Sequence, residues 1–148
     1  MVDIREATPG DIPVLSTLFD SYRQFYDMPS DPALAHRFIS ERMTKQQSAI
    51  FVAERGMEIV GFCQIYFSFC SVFAAPICIL NDLFVTPSGR GSGAGKALLK
   101  VAEMFALRTG AVRITLQTAK TNERARALYE THGWTRNTTL YGYAKRLG

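Results

Sequence analysis

The sequence predicts an α/β protein in which helices pack on a central sheet. Apolar, β-branched stretches such as 77–85 and 112–118 are typical of buried strands, and the apolar residues of 97–105 recur at helical spacing. A glycine-rich segment, 89–95, joins strand 77–85 to that helix. With 148 residues, the chain is long enough for one good core. We therefore expect a single domain that spans residues 1–148.

Turn and capping residues define the ends of the predicted elements. A first strand ends at Thr8-Pro9-Gly10-Asp11, which also caps a helix with Pro13 in its first turn. The proline-containing segment 28–32 ends this helix, and Thr109-Gly110 and His132-Gly133 end two later helices. In chain order we predict strand 3–7, helix 13–25, helix 33–44, strand 50–53, strand 59–69, strand 77–85, a helix from the glycines to 108, strand 112–118, helix 122–131 and strands 134–135 and 139–145.

Composition is typical of a globular protein of the cytoplasm. No apolar run reaches the ~18 residues of a membrane span, and the first residues lack a signal-peptide pattern. The cysteines Cys63, Cys70 and Cys78 show no Cys-x-x-Cys spacing, which indicates reduced structural thiols rather than a metal or redox site. We expect a cytoplasmic protein without a membrane or metal partner.

The net charge of +4 is unevenly distributed along the chain. Residues 1–85 hold six Lys/Arg and ten Asp/Glu, a net charge of −4, whereas residues 86–148 hold eleven Lys/Arg and three Asp/Glu, a net charge of +8. A basic half suits a polyanionic ligand or a nucleic acid. One functional alternative is therefore a non-catalytic module that binds nucleotide or nucleic acid. The basic half lacks interleaved aromatic residues for stacking bases, so we do not expect nucleic acid.

The glycine-rich segment has the features of a phosphate site. It precedes a helix whose first N–H groups are exposed, and Arg90 and Lys96 flank it. A Walker A loop is excluded because Arg90 stands where that motif needs glycine, and Ala97 stands where it needs Ser or Thr. A dinucleotide-binding pattern can be forced as Gly89-x-Gly91-x-x-Ala94, but residues 104–122 hold no acidic residue for the ribose.

The third pattern, Arg-x-x-Gly-x-Gly, is met by Arg90, Gly93 and Gly95 after an apolar strand. It resembles the coenzyme A loop of the GNAT superfamily of N-acetyltransferases. A second stretch resembles the family's next signature, a helix that ends at Gly-Phe or Gly-Trp. Two motifs in this order are more specific than either alone, and the resemblance is firm over residues 58–135. The residues that match the second motif are Asn122, Ala125, Leu128, Tyr129, Glu130, Gly133 and Trp134.

The resemblance implies both a fold and a reaction. The implied GNAT fold has a mixed, mostly antiparallel sheet of six to seven strands with about four helices. Its fourth and fifth strands, here 77–85 and 112–118, splay apart. The implied reaction moves an acetyl group from acetyl-CoA to a primary amine by direct attack in a ternary complex. We therefore expect an enzyme with acetyl-CoA as co-substrate, no metal, a small-molecule or peptide amine as acceptor, and a homodimeric state.

The same resemblance assigns cofactor-binding residues. Backbone groups of Phe84 and Val85 would bind the pantetheine arm and polarise the acetyl carbonyl. Asn122 either hydrogen-bonds the pantetheine or serves as a helix N-cap, and both are compatible. The pyrophosphate would be held by the side chain of Arg90 and by backbone N–H groups of Gly91, Gly93, Ala94, Gly95 and Lys96.

Catalytic roles fall on Tyr129 and on the pair Asn81 and Asp82. Tyr129 matches the tyrosine that protonates the coenzyme A thiolate in many GNATs, although an apolar helix face also explains a tyrosine there. The strand resembles the polyamine acetyltransferase branch, which usually has Glu-Asp where this chain has Asn81-Asp82. Because Asn81 cannot accept a proton, the base is Asp82, a water chain, or no base for an amine that binds neutral.

The acceptor side of the site is expected to involve the N-terminal half. Asn81 and Asp82 are the candidate substrate-binding residues, with the two facing opposite ways unless a bulge re-aims one of them. The acidic balance of residues 1–85, with Glu54 and Glu58 in a nearby turn, favours a cationic amine. The apolar segment 69–76 is either core, a dimer face or one wall of the acceptor pocket.

Overall fold

The computed structural model describes all 148 residues, which form two compact units, Met1–Gln117 and Thr118–Gly148. Short 3-10 turns lie at Pro9–Asp11 and Pro87–Gly89 in the first unit. No helix of the chain is long and apolar enough to cross a membrane. The first unit contains β1 (Asp3–Glu6), α1 (Ile12–Phe25), α2 (Pro32–Thr44), β2 (Ser48–Arg55), β3 (Glu58–Cys70), β4 (Ala75–Val85), α3 (Ala94–Arg108) and β5 (Ile114–Thr115), and the second contains α4 (Glu123–Thr131).

The five strands form one sheet in the order β1-β2-β3-β4-β5. The first four pair antiparallel, and β5 alone pairs parallel to β4. This confirms the expected mixed, mostly antiparallel sheet and the four helices, but the expected six to seven strands are too many. The predicted strand 112–118 is reduced to two residues, and residues 134–145 contain no strand.

Local hydrogen bonds explain why the last predicted strand pair is absent. The Asn137 side-chain oxygen accepts from the backbone N–H groups of Thr139 and Leu140, at 2.9 and 3.1 Å. An asparagine that binds nearby backbone groups in this way forms a turn and removes donors that a strand would need. The predicted strand 139–145 follows this turn directly, and the structure has no strand there.

The sheet opens between β4 and β5. Their pairing is limited to Cys78 with Ile114 and Ile79 with Thr115. Beyond Ile79, β4 continues to Val85 while it pairs only with β3. This is the splay expected between the fourth and fifth strands, and it leaves one edge of the second half of β4 unpaired.

Helices cover both faces of the sheet. On one face, α1 and α2 bury Leu15, Phe19 and Ile39 against Phe62 and Phe84 of β3 and β4. On the other face, α3 buries Leu98, Leu99 and Ala102, and the rings of Phe51 and Phe105 lie 5.5 Å apart. Full burial of each large aliphatic or aromatic side chain contributes ~1.5–3 kcal/mol. The two faces hold the β3–β4 hairpin rigidly in the centre of the first unit.

The hairpin tip, which we define as residues 67–76, projects from the sheet. Both strands extend further than predicted, so that only the four residues 71–74 form the turn. The side chains of Phe69 and Val72 are 81% and 91% exposed, which excludes the core as the place of this apolar segment. Pairing of β3 with β2 ends at Ser48 with Tyr66, so the β3 edge of the hairpin tip has no neighbouring strand.

Candidate active site

A β-bulge lies at Asn81 in the middle of β4. Gln64 pairs with Asp82, and the next residue of β3, Ile65, pairs with Leu80, which leaves Asn81 without a partner across the ladder. The bulge brings the two predicted substrate-binding side chains together, because Asn81 Nδ2 donates to Asp82 Oδ1 at 2.8 Å. The sequence left two orientations open for Asn81 and Asp82: opposite faces of the strand, or one side chain turned towards the other by a bulge. The structure has the second.

Asp82 is a buried carboxyl with amide donors on both oxygens. Its side chain lies on the α1–α2 face of the sheet, and the residue is 3% exposed. Gln64 Nε2 donates to Asp82 Oδ2 at 2.5 Å, and Asn81 donates to Oδ1. Burial raises the pKa of Asp82 above its usual value, while the hydrogen bonds from Gln64, Asn81 and Tyr22 lower it. A carboxyl with a raised pKa is better matched to proton transfer near neutral pH than an exposed one.

Helix α1 supplies an aromatic wall beside the bulge. The ring of Tyr22 lies 6.0 Å from that of Phe62 and 6.2 Å from that of Phe84. Towards the surface, Tyr26 lies 5.1 Å from Tyr22, and Phe25 lies 5.4 Å from Tyr26. Phe25 and Tyr26 are 50% and 40% exposed, so the wall continues from the bulge to solvent.

The unpaired edge of β4 presents backbone groups next to this site. Thr86 N–H donates to the Val60 carbonyl at 2.8 Å, so Thr86 pairs directly with β3. Because backbone groups of an antiparallel strand alternate between its two edges, those of Phe84 also face β3, and those of Leu83 and Val85 face the open edge. Of the two predicted pantetheine-binding residues, Val85 therefore has the exposed backbone groups, and Phe84 contributes its buried ring to the core.

The glycine loop after β4 is shaped by close packing at one end and by open space at the other. Thr86 Oγ1 accepts from Gly89 N–H at 3.2 Å, and a Cβ at Gly89 would lie only 2.7 Å from Val60 Cβ. Gly91 and Gly93 have φ angles of +80° and +87°, and no atom lies within 4 Å of the position of an added Cβ. These two glycines therefore satisfy the backbone conformation and leave the loop surface clear.

The start of α3 provides the hydrogen-bond donors of the predicted phosphate site. Gly93 is the N-cap of α3, and Ala97 N–H donates to the Gly93 carbonyl at 3.0 Å. The preceding N–H groups of the first turn have no acceptor within the helix. Arg90 and Lys96 are exposed on either side of the loop. Ala94 N–H also makes a long bond to Ser92 Oγ, at 3.4 Å. The N–H groups at this helix start, its dipole and the two cations fit the pyrophosphate of a coenzyme A group.

The two remaining predicted site residues, Asn122 and Tyr129, lie in the second unit. Asn122 caps α4, because its side-chain oxygen accepts from Ala125 N–H at 3.3 Å. This leaves the amide nitrogen of Asn122 as a donor. The ring of Tyr129 lies 6.0 Å from that of Trp134, and the backbone N–H of Trp134 donates to the Tyr129 carbonyl at 3.1 Å. Tyr129 is therefore oriented by the Gly-Trp end of its own motif.

Sequence reasoning did not identify Gln64, Ser48 or Tyr22. Gln64 was counted as part of an apolar strand, although it is the only amide side chain in that stretch and is completely buried. A single buried amide in an apolar strand requires polar partners, which was the signal available. Tyr22 lies within the predicted helix 13–25, and its hydroxyl donates to the Asn81 carbonyl at 3.1 Å.

Comparisons with known proteins agree on the family and the fold. The sequence model of the acetyltransferase (GNAT) family matches residues 14–134. The uncharacterized N-acetyltransferase YhfO of Bacillus subtilis (strain 168) is 42% identical over 142 residues, which are 96% of this chain and 95% of that protein. The crystal structure of a probable acetyltransferase has a TM-score of 0.90 at 33% identity, covering 99% of this chain and 98% of its own. The aminoglycoside N-acetyltransferase AAC(6')-Iy in complex with CoA shares the fold, with a TM-score of 0.83 at 18% identity, covering 99% and 96%.

Proposed function

The chain belongs to the acetyltransferase (GNAT) family, and from this membership we propose that it transfers an acetyl group from acetyl-CoA to a cationic primary amine. The resemblance inferred from the glycine loop and the Tyr129 motif is confirmed, as are the activity of an acetyl-CoA-dependent N-acetyltransferase and acetyl-CoA as co-substrate. We propose, in addition, the class of acceptor, the roles of the site residues, a homodimeric state and a cytoplasmic location.

We assign coenzyme A binding to the glycine loop and to the open edge of β4. The backbone N–H groups of Gly91, Gly93, Ala94, Gly95 and Lys96, together with the Arg90 side chain, hold the pyrophosphate. The open φ-positive glycines support this assignment, because a side chain there would cover the loop. The backbone of Val85 pairs with the pantetheine as an added strand would, next to Phe84. The amide nitrogen of Asn122 donates a further hydrogen bond.

The observation that carries the cationic acceptor is the polar bulge beside an aromatic wall. Asn81 offers an amide oxygen, and Asp82 supplies a carboxyl directly behind it. Tyr22 and Tyr26 provide ring faces, which attract cations by about 0.5–2 kcal/mol. The exposed Asp27 follows Tyr26 in the same turn. Glu54 no longer supports the argument, because it is paired with Arg5 at 2.8 Å.

We propose the following proton transfers for these residues. Bound acetyl-CoA supplies the thioester. An ammonium acceptor loses one proton before attack, and we assign Asp82 as the group that takes it, through one bridging water, while Asn81 Oδ1 holds the amine. The amine nitrogen then bonds to the carbonyl carbon and the carbon–sulfur bond breaks. The nitrogen loses its second proton to solvent, and the Tyr129 hydroxyl protonates the departing thiolate before regaining a proton from solvent.

An acceptor panel tests the proposed acceptor class. Thiol release is measured with polyamines, lysine peptides, aminoglycosides, and neutral and acidic amino acids. We expect cationic amines to react fastest, and Asp82→Asn to raise their KM and lower kcat by at least ~10-fold. Asp3→Asn removes the same charge from the exposed start of β1 and serves as the matched control. Fastest acetylation of a neutral or acidic acceptor, unchanged in Asp82→Asn, would show that the acceptor assignment is wrong.

We also propose a homodimer formed through the hairpin tip. The exposed Phe69 and Val72 and the unpaired β3 edge support it, because a two-fold axis pairs such an edge with its own copy. Light scattering of wild type and of Phe69→Lys tests the proposal, and a monomeric wild type would contradict it.

The free cysteines support a reducing, cytoplasmic location. The family match over 14–134 supports treating both units as one functional domain.

A further inference from the structure

We propose that Gln64 is a positioning residue for acetyl transfer: locked by Ser48, it fixes the carboxyl of Asp82 in the orientation that serves the acceptor amine. The inference rests on the proposed role of Asp82. It concerns two residues of β2 and β3 that lie behind the site.

The three side chains form a continuous polar row across three strands. Ser48 Oγ donates to Gln64 Oε1 at 2.7 Å, and Gln64 Nε2 donates to Asp82 Oδ2 at 2.5 Å. Gln64 is fully buried and Asp82 is 3% exposed. The row lies on the same face as Phe62 and Phe84, two residues along each strand, where the neighbouring side chains are apolar. Polar groups are costly in such surroundings unless each one has a partner.

The chemistry of the donors fixes the direction of every bond in the row. An ionised carboxylate only accepts, so the amide nitrogen of Gln64 must face Asp82 and its oxygen must face Ser48. The Ser48 hydroxyl donates to that oxygen and adds a second bond that holds the amide in the direction set by the carboxylate. Asp82 in turn accepts from Asn81 Nδ2, which leaves Asn81 Oδ1 directed away from the carboxylate. The hydrogen bonds that begin at Ser48 of β2 therefore set the orientation of the Asn81 side chain, including its amine-binding oxygen.

The row also determines how easily Asp82 stays ionised. Burial raises its pKa, and the donor from Gln64 is the largest of the hydrogen-bond contributions that lower it. The titratable groups that face Asp82 are Tyr22 from α1 and Tyr66 from β3, and Arg42 of α2 acts on Tyr66. Cys63 on the same strand also senses the Asp82 charge. Removal of Gln64 takes away the largest of these contributions and leaves only the bonds from Asn81 and Tyr22.

Substitution of Gln64 tests the inference through the pH dependence of the reaction. Gln64→Met keeps the length of the side chain and deletes the donor, and Ser48→Ala frees the amide to turn. We expect the acidic limb of kcat/KM to move upward by about one pH unit in Gln64→Met and by less in Ser48→Ala. At neutral pH, we expect kcat to fall by about 10-fold in Gln64→Met, with unchanged affinity for coenzyme A. Ser16→Ala, at a buried hydroxyl without a hydrogen bond, is the matched control.

A second measurement does not depend on activity. The Asp82 carboxyl carbon is titrated by NMR in aspartate-labelled wild type and variants, and we expect its midpoint to move upward in Gln64→Met. The inference would be overturned if, in Gln64→Met, both the acidic limb of kcat/KM and the midpoint of the Asp82 titration stay at their wild-type pH. This holds even if kcat falls, because a purely structural role of Gln64 lowers activity without moving either of them. If wild type acetylates no amine, the proposed function fails, and the carbon titration still decides the role of Gln64.

Discussion

The hydroxyl of Tyr22 donates a 3.1 Å hydrogen bond to the backbone carbonyl of Asn81, the bulged residue of β4. The two residues are 59 positions apart in the chain, so the bond ties helix α1 directly to the bulge. A bulge leaves a backbone group outside the ladder, and the Tyr22 hydroxyl supplies a donor to this carbonyl. The candidate acceptor site is therefore held from two sides, by Tyr22 at the backbone and by Gln64 at the side chain of Asp82.

Tyr22→Phe tests this tether. The change keeps the ring in its contacts with Phe62 and Phe84 and removes only the hydroxyl. The hydroxyl also lowers the pKa of Asp82. We therefore expect the acidic limb of the kcat/KM profile to move to higher pH, together with a several-fold loss in kcat/KM for the amine. Unfolding in urea should change by about 1 kcal/mol or less.

Tyr26→Phe is the matched control for this substitution. Tyr26 packs against Tyr22 on the same helix and is 40% exposed, so its hydroxyl is not required at the bulge. We expect the acidic limb of the kcat/KM profile of Tyr26→Phe to coincide with that of wild type. An equal shift in both variants would show that the effect comes from the aromatic wall rather than from the bond to Asn81.

Gly93→Val tests the phosphate site. Gly93 has a φ of +87° at the N-cap of α3, where a β-branched residue is strained and covers the first-turn N–H groups. We expect coenzyme A affinity to fall at least ~10-fold and the stabilisation by acetyl-CoA in thermal unfolding to disappear.

Gly110→Val is the control at the other end of the same helix. Gly110 also has a positive φ, +81°, and open space around its Cβ position. The strain is similar, so the loss of stability should be similar, but coenzyme A affinity should stay at the wild-type value. Equal affinities in the two variants would show that the glycine loop does not hold the pyrophosphate.

Local motifs in the sequence predicted the order of elements and the glycine loop. Arg90, Gly93 and Gly95 lie within six residues, so their pattern requires no tertiary information. The bulge at Asn81 depends on the register of β3 against β4, and the role of Gln64 depends on Ser48, 16 residues earlier, and Asp82, 18 residues later. Such non-local pairings are not visible in a strand's own alternation. The length of β5 also depends on its pairing with β4, so the sequence did not show that β5 has only two residues.

Tyr129→Phe tests the assignment of the general acid. The change keeps the ring beside Trp134 and removes the proton donor. We expect kcat to fall by ~10²-fold with little change in the affinity for coenzyme A. Tyr143→Phe, at an exposed tyrosine of the same unit, should leave kcat unchanged. Activity of Tyr129→Phe within about twofold of wild type, with a loss of stability only, would assign Tyr129 to packing.

Asp11→Asn tests a charged cluster away from the site. The Arg5 guanidinium donates to Asp11 at 2.7 and 2.8 Å and to Glu54 at 2.8 Å, which joins β1, the turn before α1 and β2. The hydrogen bonds from Arg5, followed by the backbone N–H of Thr8, hold the pKa of Asp11 well below its usual value. The buried carboxylate therefore favours the folded state only when it is ionised.

The sign of the pH dependence follows from this lowered pKa. Above pH ~4, where the unfolded chain is also ionised, the full contribution of Asp11 is present, and it is lost as pH falls towards the folded pKa. Because Arg5 is partly exposed, we expect Asp11→Asn to lower the free energy of unfolding by only about 1–2 kcal/mol at pH 7. The difference from wild type should shrink steadily below pH ~4, as measured by urea unfolding. Asp3→Asn, at an exposed position at the start of β1, should show neither effect. A pH-independent difference for Asp11→Asn would mean that the ion pair does not stabilise the fold.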